Sequence, residues 1–123
     1  MLKEIAEDAA SMKKIEIIIP DRRLDDVSDI LRSANTGGMS HYRVHGRGKV
    51  KAEPVEISRG TGKFIPEFIP RTKVEVIIRD DQVETLIDRL AERIGDSLGG
   101  KIFVSDVNVA VDLTTKNRGE SAI

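Results

Sequence analysis

Cysteine and tryptophan are absent from this 123-residue chain, and its aromatic residues amount to one tyrosine and three phenylalanines. Without cysteine there is no disulfide and no thiolate metal centre, which fits a reducing compartment. With so few aromatics, and no aromatic pair on neighbouring strands, the sequence gives little support to an RNA-binding sheet that stacks bases. Charge of one sign is lacking too. The 20 basic and 21 acidic residues leave a net charge of −1, so no global field draws the chain to nucleic acid or anionic lipid. Its longest apolar runs are strand-sized, and the opening M-L-K-E-I-A-E-D-A-A-S has no uninterrupted apolar centre. These features predict a soluble, cytoplasmic protein with no membrane insertion.

The ingredients of catalysis are also missing. Ser40, Ser58 and Ser105 stand without a local histidine signature, and no nucleophile, base and orienting group come together. His41 and His45 lack a third ligand, so no metal site is expected. The carboxylate pairs Asp25-Asp26 and Asp80-Asp81 fit helix starts, the second as an N-cap. The chain is expected not to be an enzyme.

What is present is a repeated order of elements, built on a 39% hydrophobic content that suffices for one core. Lys13 to Pro20 is a β-branched, nearly continuous apolar strand ended by proline. Leu24, Val27, Ile30, Leu31 and Ala34 recur at spacings of three and four, which predicts a helix, and Asn35-Thr36-Gly37-Gly38 stops it. Met39 to Arg47 reads as a second strand, and Arg71 to Arg79 as a third. A second helix carries Val83, Leu86, Ile87, Leu90, Ala91 and Ile94 on one side. A glycine-rich turn at 95–100 leads to a last long strand, Lys101 to Val111, and a polar tail at 112–123. Two strand-helix-strand halves with both helices on one face of an antiparallel sheet give an α+β, ferredoxin-like sandwich.

The stretch between the halves, residues 48–69, is long for a compact domain, and a connection of that length usually has a job. An extended hairpin turning at Gly60-Thr61-Gly62 and pairing Val55 and Ile57 with Phe64 and Ile65 is an equally good account of its shape. Two clusters combine bare backbone with a cation and so suit an anion: Gly46-Arg47-Gly48-Lys49 and Gly99-Gly100-Lys101. Each alone also reads as an ordinary tight turn. Together they make a site only where the fold unites them.

Several separated motifs, in order, make the chain resemble the PII nitrogen-regulatory family from Met12 to Ile123. They are M-K-K-I-E-I-I-I-P, G-M-S with V-H-G-R-G, F-I-P-R-T-K-V-E-V-I-I, G-G-K-I-F-V-S-D-V and R-G-E-S-A-I. On this alignment residues 1–11 form an N-terminal extension to a domain at 12–123. The resemblance implies a homotrimer that binds an adenine nucleotide between subunits and controls target proteins of nitrogen metabolism, such as an ammonium transporter, through the long loop. It carries nucleotide contacts over to Ser40, Gly46, Gly48, Lys49, Glu75, Ile77, Gly99, Gly100 and Lys101, and a 2-oxoglutarate contact to Arg71. Asp112 and Thr114 stand at the positions of two family arginines that reach the phosphates of a neighbour's nucleotide.

The departures point to altered effector choice. Val50 replaces a glutamine that helps hold magnesium and 2-oxoglutarate, and valine has no oxygen for a hard cation. Asp112 and Thr114 remove two cations from the phosphate path, which weakens ATP more than ADP or AMP. The loop contains no tyrosine to modify, whereas Arg59-Gly60 is similar to the loop-tip pair that enters a transporter's pore mouth. The rival expectations are a phosphate-ester enzyme or an RNA-binding module on the same fold.

Overall fold

The computed structural model describes residues 11–48, 55–56, 62–65, 67–95 and 99–123. Four strands, β1 (Met12–Ile19), β2 (Met39–Gly46), β5 (Ile69–Arg79) and β6 (Lys101–Val107), form one antiparallel sheet in the order β2-β5-β1-β6. Two short strands between β2 and β5, β3 (Val55–Glu56) and β4 (Lys63–Phe64), pair as a separate hairpin with Val55 opposite Phe64. The expected hairpin is therefore present in that pair; its turn at 60–61 lies outside the described residues. So do residues 1–10 of the expected N-terminal extension, while Ser11 offers its carbonyl to the Asp80 N–H at 2.7 Å.

Side-chain alternation decides which face is covered. Ile15, Ile17 and Ile19 of β1 and Val74, Val76 and Ile78 of β5 are buried beneath the helices. Helix α1 (Leu24–Ser33) adds Val27, Ile30 and Leu31, and α2 (Val83–Ile94) adds Val83, Leu86, Leu90 and Ile94. Each such side chain gains about 1.5–3 kcal/mol from leaving water. Asp26 of α1 accepts from Arg23 in the preceding 3-10 turn at 3.2 Å and, across to α2, from Arg93 at 3.0 Å. Among the described residues no helix lies on the opposite face of the sheet.

Helix α1 stops as the sequence predicts. Asn35 takes the left-handed conformation at φ 54°, and the Thr36 N–H and hydroxyl both donate to the Leu31 carbonyl. The start of α2 differs from the expected aspartate cap. Asp80 and Asp81 form a single 3-10 turn with Gln82, and the Gln82 side chain accepts from the Arg79 N–H at 3.4 Å. The aspartates still place negative charge before the helix. The last strand is also shorter than the alternation suggested, ending at Val107. Val111 pairs instead with Arg118 in the tail, across a tight turn.

Candidate functional site

Antiparallel register brings six of the sequence-predicted residues to one end of the sheet. Gly46 closes β2 opposite Ile69, Gly48 follows it, Arg71 opens the next step of β5 opposite Val44, and Gly99-Gly100-Lys101 enters β6. Lys101 stands opposite Ile18, Ile18 opposite Lys73, and Lys73 opposite Tyr42, so one row on the uncovered face runs from edge to edge. The two glycine clusters lie on the two edge strands at this end, Gly46 four residues beyond Tyr42 along β2. The two intervening strands alone separate them by at least about 14 Å within a protomer. Within one protomer the two clusters share an end of the sheet but do not meet.

The glycines differ in what requires them. Gly99 holds φ at 82°, a conformation that favours glycine, and a Cβ at Gly100 would stand 3.2 Å from the Ile18 carbonyl oxygen. Gly46 and Gly48 have neither reason: no heavy atom lies within 4 Å of a Cβ built on them. Among the described residues nothing asks for their bare backbone. Open backbone at a strand end leaves room for a ligand or another backbone to come close.

Ser40, Glu75 and Ile77 lie further along the uncovered face, Ser40 directly opposite Glu75. Lys14 reaches Glu75 at 3.0 Å and Glu16 at 3.2 Å, and Lys73 reaches Glu16 at 3.3 Å. Hydrogen bonding from Lys14, then from Tyr42, holds the Glu75 carboxyl below its ordinary range; Lys14 and Lys73 do the same to Glu16. The lysines are pushed upward in return, Lys14 chiefly by Glu75 and Lys73 chiefly by Glu16. This centre stays ionised across neutral pH.

Asp112 and Thr114 belong to the tail turn. One Asp112 carboxylate oxygen accepts the N–H of Thr114 at 2.8 Å and that of Thr115 at 3.0 Å, so backbone donors, Thr115 first, lower its pKa. The turn closes with the Lys116 N–H on the Asp112 carbonyl and with Lys116 left-handed at φ 67°. Asp112 is thus the residue that builds the tail turn. The pattern D-x-T-T, an Asx-turn signal, already carried that information. Lys49, Val50, Arg59 and Gly60 lie outside the described residues.

Sequence reasoning missed the partner of Arg47. Its guanidinium donates to Glu67 and stands 5.9 Å from the centre of the Phe68 ring, between the two glycines of β2's exit. No spacing rule links positions 20 apart. On the helix side of the sheet, Gly99, Gly100 and Lys101 rim a cleft of about 280 Å³ walled by Ile17, Ile19 and Leu90. Its lining is mostly hydrocarbon. Among the described residues no cluster of His, Asp or Glu suits a metal ion, and no helix is long and apolar enough to cross a membrane.

Sheet order, helix placement and the long connection between β2 and β5 define a ferredoxin-like α+β domain. The sequence matches the family model described as Nitrogen regulatory protein P-II over residues 12–117. It is 38% identical to the Nitrogen regulatory protein P-II of Cereibacter sphaeroides, across 91% of this chain and all of that one. It is 36% identical, with the same coverage, to Nitrogen regulatory protein P-II 1 of Escherichia coli strain K12. Among solved structures, Arabidopsis thaliana PII bound to citrate superposes with a TM-score of 0.72 at 28% identity, covering 93% of this chain and 94% of that one. The B. subtilis GlnK-ATP complex superposes at 0.69 and 21% identity, covering 91% and 97%, and shares the fold. The chain belongs to the P-II nitrogen-regulatory family. It is a signalling regulator and not an enzyme.

Proposed function

We propose that this chain is a cytoplasmic, homotrimeric P-II regulator that binds an adenine nucleotide between subunits and controls a target protein, such as an ammonium transporter, through residues 48–69. The observation that carries the reading is the pair Gly46 and Gly48 at the exit of β2, with open space around both among the described residues. Gly99, Gly100 and Lys101 supply backbone amides and a cation at the same end of the sheet. Exposed apolar residues along β6 and the tail, Phe103, Val109, Val111 and Leu113, support a subunit contact on that side. A relative that is crystallised with ATP and another with citrate support a nucleotide and a small carboxylate as effectors.

The effector preference follows from the departures. Val50 offers magnesium and 2-oxoglutarate no oxygen, and the tail presents Asp112 and Thr114 where phosphate calls for cations. ADP or AMP therefore binds in preference to Mg-ATP with 2-oxoglutarate. Nucleotide occupancy changes target affinity as a population shift, each ligand favouring one arrangement of residues 48–69.

The test combines light scattering for assembly with titration calorimetry for ATP, ADP, AMP and 2-oxoglutarate, using Lys101→Ala beside the native chain. A trimer that binds ADP, with binding weakened at least tenfold by Lys101→Ala, is expected. A monomer silent to every adenylate defeats the reading. Tight 2-oxoglutarate binding that needs Mg-ATP defeats the effector preference alone.

A further inference from the structure

We propose that Arg47 is shared between two anions: the Glu67 carboxylate when the nucleotide site is empty, and the nucleotide phosphate when it is filled. The inference rests on the nucleotide reading above and adds to it a residue and a route of coupling. Arg47 and Glu67 join just past the last pair of the β2-β5 ladder, Gly46 opposite Ile69, and so carry the pairing of these two segments one step beyond the sheet. Phe68, about half exposed, lies under the same guanidinium rather than in the core.

Two properties make this link exchangeable. The Arg47 and Glu67 side chains are 65% and 61% exposed, and an ion pair so open to water changes an equilibrium by no more than about fivefold. The guanidinium fork that grips a carboxylate also matches phosphate, with two parallel donors. Arg47 is flanked by Gly46 and Gly48, and among the described residues open space surrounds the Cβ position of both. A phosphate arriving there meets Arg47 at once, and Glu67 then faces it as a like charge. Taking Arg47 from Glu67 removes the one described side-chain ion pair past the end of the ladder. Filling the site is thereby converted into release of the chain that leads into β5.

The test is a double-mutant cycle on the assembled protein: native, Arg47→Ala, Glu67→Gln and both together. ADP and inorganic pyrophosphate are titrated by calorimetry, and amide exchange of Phe68 and Ile69 is followed by NMR. Removing the competing carboxylate is expected to tighten ADP about threefold in the native background, and by less than about 1.5-fold when Arg47 is already alanine. ADP is expected to speed exchange at Phe68 and Ile69 toward the rate of the unliganded Glu67→Gln variant. If ADP binds but Glu67→Gln acts equally in both backgrounds, or exchange at these amides ignores ADP, the sharing is refuted and the nucleotide reading stands. If neither anion binds any variant, both fall.

Discussion

Replacing Thr72 by valine tests how the site end of the sheet is held together. Thr72 is only 6% exposed, the one buried polar residue among those described, and its hydroxyl donates to Asp21 at 2.7 Å. The other Asp21 oxygen accepts from Arg43 at 2.7 Å. This triad ties β5, the turn after β1 and β2 next to Arg71. Valine keeps the shape and deletes the donor. A hydrogen bond to a charged group contributes about 1.5–3 kcal/mol, but the Asp21 side chain is 35% exposed and keeps Arg43, so water recovers part of the loss. The expected cost is about 1 kcal/mol, a fall in Tm of about 3–6 °C for a domain of this size. Circular dichroism at fixed protein concentration and without nucleotide reads it, because assembly and ligand both shift apparent stability. The Asp21→Ala variant and the double variant complete a cycle with a coupling of about 1 kcal/mol. A loss below about 0.3 kcal/mol in Thr72→Val, or strict additivity in the cycle, refutes the reasoning.

The ion network on the uncovered face gives a signed pH dependence. Glu75 and Glu16 are depressed below 4.5, so their contribution is complete above 4.5 and is lost as the pH falls through the lower folded values. Lys14 and Lys73 are raised above 10.5, so theirs is complete below 10.5 and is lost as the pH rises through the higher folded values. Urea midpoints across pH should show both flanks, and Lys14→Met should flatten them; an unchanged acid flank in that variant contradicts the assignment. In the tail, Lys116→Gly relieves a left-handed backbone that costs a side-chain-bearing residue about 1 kcal/mol, while it adds glycine's own entropy and removes the Lys116 contact to the Leu113 carbonyl at 2.7 Å. The expected net gain is about 0.5 kcal/mol, a Tm rise of about 2 °C. A fall of that size shows that the lysine contact outweighs the backbone.

Local signals decided how much of this was legible. The apolar alternation of Lys13 to Pro20 and the three-and-four spacing of Leu24 to Ala34 named a strand and a helix correctly, because each pattern reflects one buried face. Asn35 marked its helix end for the same local reason. Alternation extended too far at Val109 and Val111, where nothing in the sequence distinguishes a strand residue from an exposed one in the tail. Asp80 and Asp81 looked like caps, while Gln82 makes the bond.

Composition, periodicity and the glycine clusters belong to the sequence itself: the absence of thiol chemistry, the two matching halves and the positions where bare backbone meets a cation. These depend on residues close together in the chain, whose geometry follows from backbone sterics. Only the tertiary structure decided that Gly46 and Lys101 lie at one end of the sheet but on opposite edges. It alone matched Arg47 with Glu67, Thr72 with Asp21, and Lys14 with Glu75. Such pairings are set by strand order and register, which come from packing two helices on one face and not from any spacing along the chain.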